Sequence, residues 1–189
     1  RDGRFTVAYN GEIYNYQALR KNYQGEGWVF QTESDTECLL ASAALHGLRD
    51  IDTMHGMFAF ALWDAKEQTL FLARDRMGIK PLYVTTHDHR LAFASEIQGL
   101  LPLKQRWKID AAARAQYLAM GYVLSPRTMF QGIETLETGT VFSYQHGERR
   151  VGCSFGTTQA KKTPSSWHEA KTELVRTVDD VVKQQLISD

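Results

Sequence analysis

The spacing of apolar positions changes several times along the chain. Residues 5–9, Phe-Thr-Val-Ala-Tyr, are rich in β-branched and aromatic side chains and predict a strand. Residues 16–23 take a helical spacing, which Gly25 and Gly27 stop. Residues 28–31 predict a short strand. Residues 36–46 predict a helix closed by Gly47, and Ser34 with Glu37 three positions on forms a capping box at its start. Residues 57–63, Met-Phe-Ala-Phe-Ala-Leu-Trp, are a continuous apolar run, the pattern of a strand buried on both faces. Residues 64–68 read as a turn and 69–73 as the returning strand. Residues 81–86 and 90–94 pair across His87-Asp88-His89. Such short connections predict antiparallel pairing and an α+β fold.

Later in the chain, residues 110–120 predict a helix with Asp110 as its N-cap. Residues 140–145 and 150–154 predict a hairpin around Gly147. Residues 156–165 are polar, carry Pro164 and read as a linker. Residues 167–187 predict a long amphipathic helix with a second capping box, Ser166 with Glu169. Trp167, Ala170, Leu174, Val178, Val181 and Val182 fall on one face of it. That stripe has no evident partner in residues 1–155, so the helix reads as the opening of a second domain.

Composition narrows the classes. With 22 basic and 22 acidic residues the net charge is zero, which removes the electrostatic footprint of a nucleic-acid or anionic-membrane binder. At 189 residues and 43% apolar, the chain can bury a core without disulfides or metals. Two cysteines, Cys38 and Cys153, fit a reducing cytoplasm rather than a disulfide framework. No stretch has the uninterrupted apolar length of a membrane span. The N-terminal Arg-Asp-Gly-Arg is no signal peptide and runs straight into a strand, so the expected start of the protein lies upstream.

Candidate chemistry is concentrated early. Asn10-Gly11-Glu12 directly follows the first strand. Asn-Gly is the strongest short hairpin signal, and by itself the dipeptide favours a turn. The alternative is an oxyanion hole, in which the Asn amide and the adjacent Gly N–H point at one oxygen. Asp35, at a helix start, reads as charge placed at the positive end of the helix dipole, or as a carboxylate that receives an amino-acid ammonium. Asp75 with Gly78 suits a type I turn, so the charged segment 74–80 has a structural reading by default. The six histidines are scattered, and His87 and His89 lack the cysteine or carboxylate company of a metal site. Cys38 sits beside Leu39 and Leu40 as a core thiol. There is no Gly-rich phosphate loop.

Taken in order, Tyr9-Asn10-Gly11-Glu12-Ile13-Tyr14-Asn15-Tyr16, Ser34-Asp35-Thr36-Glu37, Gly56 through Asp64, Arg74-Asp75 through Tyr83 and Phe93-Ala94-Ser95-Glu96-Ile97 closely resemble the glutaminase domain of the asparagine synthetases, class II glutamine amidotransferases. Gly121-Tyr122-Val123, Phe130-Gln131-Gly132-Ile133 and the final Gln185-Leu186-Ile187-Ser188-Asp189 are similar to that family too. The resemblance implies an N-terminal-nucleophile hydrolase fold, a four-layer αββα sandwich with antiparallel sheets. It divides the chain into residues 1–155 as part of the glutaminase domain, 156–165 as linker and 166–189 as the first helix of an ATP-dependent synthetase domain. It assigns Asn10 and Gly11 to the oxyanion hole, Gly11 and Glu12 to the glutamine pocket and Asp35 to the substrate ammonium. It implies no cofactor or metal here, with ATP and Mg2+ acting in the synthetase domain. It implies glutamine and that domain as partners, and admits a homodimer. Arg1 is not the family's nucleophile, an N-terminal cysteine, and neither cysteine matches its position, so nucleophile and carboxylate-binding arginine are expected upstream. Ser154-Phe155 replaces the family's aromatic pair. Two alternatives remain: amidation of another acid, as in polysaccharide pathways, and a non-catalytic glutaminase-like domain.

Overall fold

The computed structural model describes residues 3–87, 90–103, 106–155 and 163–186. The chain forms two compact units, Arg1–Gly11 with Met57–Phe155, and Glu12–Gly56 with Gly156–Asp189.

The first unit is built from two antiparallel sheets. Strands β1 (Phe5–Ile13), β2 (Gly56–Asp64), β3 (Thr69–Arg74), β7 (Thr140–Gln145) and β8 (Glu148–Ser154) form one, in the order β1-β2-β3-β7-β8. Strands β4 (Tyr83–His87), β5 (Arg90–Ala94) and β6 (Ile133–Thr135) form the other, in the order β5-β4-β6. The apolar run expected at 57–63 is the interior strand β2, and Phe58 through Leu62 are all buried. Alternation sends Ala59 and Ala61 into a core shared by the two sheets, with Leu72, Leu82, Val84, Leu136 and Phe142. Phe58 and Phe60 point the other way, and Phe58 stacks on Phe155 at 6.0 Å. Burying each phenyl ring stabilises by about 1.5–3 kcal/mol. Small residues on one face let the sheets approach, and large ones on the other fill the space. The two hairpins form as expected, β4 with β5 and β7 with β8; residues 88 and 89 lie outside the described ones. Asp64 closes the 64–68 turn by accepting from the backbone of Lys66 and Glu67, and pairs with Arg4 at 2.7 Å. That hydrogen bond from Arg4 holds its carboxyl below the usual range. Helix α3 (Ala111–Met120) starts on Asp110, whose carboxylate takes the Ala113 N–H at 2.9 Å, and ends on Gly121 at φ 80°.

The charged segment after β3 has a structural explanation. The Asp75 carboxylate is buried and accepts from the backbone N–H groups of Met77, Ile79 and Lys80 at 2.9–3.0 Å. The Arg74 guanidinium donates to the carbonyls of Gly78, Lys80 and Leu136. Together they fix a loop that no regular structure would hold. Asp75→Ala removes the acceptor from three N–H groups and is expected to cost about 3–5 kcal/mol. A denaturant midpoint within error of wild type would disprove that role.

In the second unit, α1 (Tyr16–Gly25) packs on α2 (Thr36–His46). The Tyr23 hydroxyl donates to Asp50 at 2.6 Å, Ser42 bonds the same carboxylate, and His46 pairs with Glu26 at 2.7 Å. Two expectations fail here. Residues 28–31 form no strand: the Trp28 N–H returns to the Tyr23 carbonyl, and the Glu37 carboxylate captures the N–H groups of Gln31 and Thr32. For the same reason Ser34 and Glu37 make no reciprocal capping box, and the Ser34 hydroxyl accepts from Thr36 instead. Burial pulls the Glu37 pKa up, but the bonds from Gln31 and Thr32 prevail and hold it below the usual range.

Helix α4 (Trp167–Gln185) begins at Ser166, whose hydroxyl takes the Glu169 N–H at 3.2 Å, while Glu169 reaches back to Ser165. No residue of α4 is buried, and Trp167 is 83% exposed. Residues 156–162 of the expected linker, and residue 187, lie outside the described ones.

Candidate functional site

The Asn10-Gly11 pair is not a hairpin turn. Both residues lie inside β1, which continues to Ile13. The local Asn-Gly signal loses because Gly11 sits where β1 and β2 nearly touch. At φ 152°, a Cβ on Gly11 would stand 2.1 Å from the Met57 carbonyl oxygen and 2.6 Å from the Phe58 Cα. Only glycine fits that position. Thr6, Ala8 and Asn10 alternate onto the exposed face of the strand. Asn10 is exposed, and its Nδ2 donates to the Ser95 hydroxyl at 3.4 Å. Beside them is a cavity of about 180 Å³ lined by Ala8, Ala59, Ala61, Leu82 and Phe93, among others.

A second group of residues belongs to the other unit. Asp35 caps α2 with helical φ and ψ, yet its side chain makes no capping bond to the helix. It is 5% exposed, and its Oδ2 accepts the Ile13 N–H at 2.8 Å. The hydroxyls of Ser34 and Thr36 stand 3.5 and 3.4 Å from its Oδ1. The carboxylate therefore anchors the end of β1 while sitting at the positive end of a helix. Glu12, half-buried, precedes the anchored residue. Asn15 clamps the exit, its side chain bonding the Thr53 carbonyl and the His55 N–H at 2.9 Å each. Gly56 admits the Glu12 carbonyl, which would lie 2.1 Å from a Cβ there.

Ser95, Asn15 and Gly56 escaped the chemical reading of the sequence. Ser95 stood only inside a motif of the resemblance, and nothing local tied it to Asn10, 85 residues away. Cys38 behaves as expected of a core thiol: fully buried, with burial and the nearby Asp35 pushing its pKa up to about 12. It holds no useful thiolate near neutral pH. Among the described residues no cluster of three or more His, Cys, Asp or Glu could hold a metal ion, and no helix is long and apolar enough to cross a membrane.

This α+β fold, antiparallel sheets with helices, is shared with solved amidotransferase structures. The solved glutamine phosphoribosylpyrophosphate amidotransferase from Bacillus subtilis superposes with a TM-score of 0.56 over 84% of this chain and 30% of that one, at 20% identity. A structure described as the allosteric regulatory enzyme of purine biosynthesis gives 0.55, covering 82% and 29% at 20% identity. Residues 1–154 match the glutamine amidotransferase domain, and the chain belongs to that family. Asparagine synthetase [glutamine-hydrolyzing] 1 of Bacillus subtilis is 38% identical over 142 residues, 75% of this chain and 22% of its own length. Asparagine synthetase B [glutamine-hydrolyzing] of Escherichia coli is 35% identical over 184 residues, 97% of this chain and 28% of its own length. The chain thus spans less than a third of these relatives.

Proposed function

We propose that the chain is the glutamine-hydrolysing part of a glutamine-dependent asparagine synthetase, releasing ammonia for the ATP-dependent amidation of aspartate. The observation that carries this reading is the Asn10-Gly11 pair held mid-strand, where a hairpin turn would otherwise stand. In this reading the exposed Asn10 carboxamide and the N–H of Gly11, a glycine locked against β2, are the two donors. Acyl transfer from an amide needs such donors where negative charge develops on the carbonyl oxygen. The nucleophile of this reading is the thiolate of an N-terminal cysteine, with its own α-amino group as base. Thiolate attack forms the C–S bond, the oxyanion collapses, and protonated amide nitrogen leaves as ammonia; water then releases glutamate. Cys38 is excluded from that role by its burial. Asp35 takes the substrate ammonium, and Gly11 and Glu12 line the glutamine. ATP and Mg2+ belong to the synthetase reaction, and no residue here is assigned to them.

The test is release of glutamate from glutamine by the full-length protein, with asparagine followed as the second product. Ammonia-dependent amidation without glutamate release would identify a non-catalytic domain. An amide other than asparagine would identify another acid.

Asp35→Asn is expected to act on KM. A charge-assisted contact to an ammonium exists in ground and transition states alike. Its loss is worth about 1.5–3 kcal/mol, roughly 10- to 150-fold in KM with little change in kcat. Asn keeps an acceptor for the Ile13 N–H, so the fold should survive. Steady-state kinetics decide: an unchanged KM removes Asp35 from the pocket.

The synthetase part is also the partner proposed for α4. Its exposed face carries Leu174, Val178 and Val182 at 63%, 53% and 51%. Amide exchange in α4 should be fast in residues 1–189 alone and slow in the full-length protein. Strong protection in the shorter chain would contradict this.

A further inference from the structure

We propose that Ser95 is a positioning residue for the Asn10 carboxamide, setting the plane in which its N–H groups are presented; this rests on the oxyanion reading of Asn10 above. An oxyanion donor works by being in place before charge develops. A carboxamide at the exposed end of an Asn side chain is not in place by default, because its terminal torsion is broad. Asn10 lies on an exposed strand face with a cavity of about 180 Å³ beside it, so packing leaves the amide room to turn. Apart from Tyr9, the other side chains around that cavity are alanines, Phe60, Leu82 and Phe93, which offer an amide nothing to bond. Ser95 supplies the polar contact, accepting from Nδ2 at 3.4 Å.

Ser95 is itself well held. It follows β5 directly, where Ala94 pairs with Tyr83, and it precedes the 3-10 turn Ile97–Gly99. It is half-buried, whereas Asn10 is exposed. One N–H given to a fixed hydroxyl orients the amide plane and leaves the second N–H for a ligand oxygen. The contact is long for an N–H donor. Contacts of this kind tighten when charge builds on the group they orient.

The experiment is a double-mutant cycle in the full-length protein, with glutamate release as readout. Ser95→Ala is expected to lower kcat about tenfold with KM within about twofold, a smaller loss than the roughly 10²–10³-fold expected when an oxyanion donor is deleted. Ser95→Thr keeps the hydroxyl, has cavity space for its methyl group, and should recover most of the rate. In the Asn10→Ala background, Ser95→Ala should cost nothing further, because its effect passes through the amide that is already gone. A full tenfold loss in that background, or wild-type kcat in Ser95→Ala alone, overturns the proposal. If the wild-type protein releases no glutamate, the oxyanion reading itself fails. Positioning is then decided by the Asn10 side-chain amide resonance, assigned by its loss in Asn10→Ala. It should shift or broaden in Ser95→Ala and return in Ser95→Thr; an unchanged resonance in Ser95→Ala ends the inference.

Discussion

Asn10→Ala in the full-length protein is expected to lower kcat for glutamine hydrolysis by about 10²- to 10³-fold, the cost of deleting one oxyanion donor. The effect on KM should be small. The oxyanion exists only near the transition state, so the Asn10 N–H stabilises that state and contributes little to ground-state binding. Structure makes this a sharp expectation, since Asn10 is exposed and its side chain meets Ser95 through a long contact of 3.4 Å. Truncation leaves no cavity and no buried donor without a partner. Stability should therefore stay within about 0.5 kcal/mol of wild type. Kinetics and thermal unfolding of the same preparation make the check. A variant that loses activity only in step with its stability would show that Asn10 is part of the strand and nothing more. A variant that keeps its kcat would remove it from the chemistry.

How far the sequence revealed this arrangement depended on the range of the interaction involved. The run from Met57 to Trp63 needed no tertiary information, because its apolarity on both faces has one good solution, an interior strand. Asp110 was legible for the same reason: its cap bond to Ala113 spans three residues. Where local signals competed with distant partners, the distant partners won. Asn10-Gly11 has the local signature of a turn, but Gly11 is consumed by the backbone of Met57, 46 positions later, and the strand runs on. Ser34 and Glu37 have the spacing of a capping box, yet the Glu37 carboxylate meets the N–H groups of Gln31 and Thr32. That capture also explains why 28–31 is not a strand. Asp75 was assigned to a turn correctly but incompletely, since its three backbone bonds are invisible until the loop closes on it. Ser95 carried no chemical signal at all. Its significance lies in what stands 3.4 Å away.

Gly11→Ala is expected to destabilise the protein by about 3–5 kcal/mol. Two costs combine. The added Cβ would stand 2.1 Å from the Met57 carbonyl oxygen, 2.6 Å from the Phe58 Cα and 2.9 Å from the Phe58 Cβ. The first two are backbone atoms, so no rotamer change relieves them, and β1 must separate from β2 locally. Overpacking of this kind costs about 1–3 kcal/mol, more where backbone must move. The φ of 152° adds strain that an alanine does not tolerate well. Phe58 is 1% exposed and stacks on Phe155, so displacing its Cα propagates into buried rings. At this chain length the combined loss corresponds to roughly 6–20 °C in Tm. Gly25→Ala is the control, because nothing stands within 4 Å of a Cβ there and the residue ends α1. Alanine should be neutral or slightly stabilising at that position. Thermal unfolding of both variants separates the outcomes. Equal Tm values would mean that the strands are not in contact at Gly11, and the mid-strand placement that distinguishes Asn10 from a turn residue would fall with it.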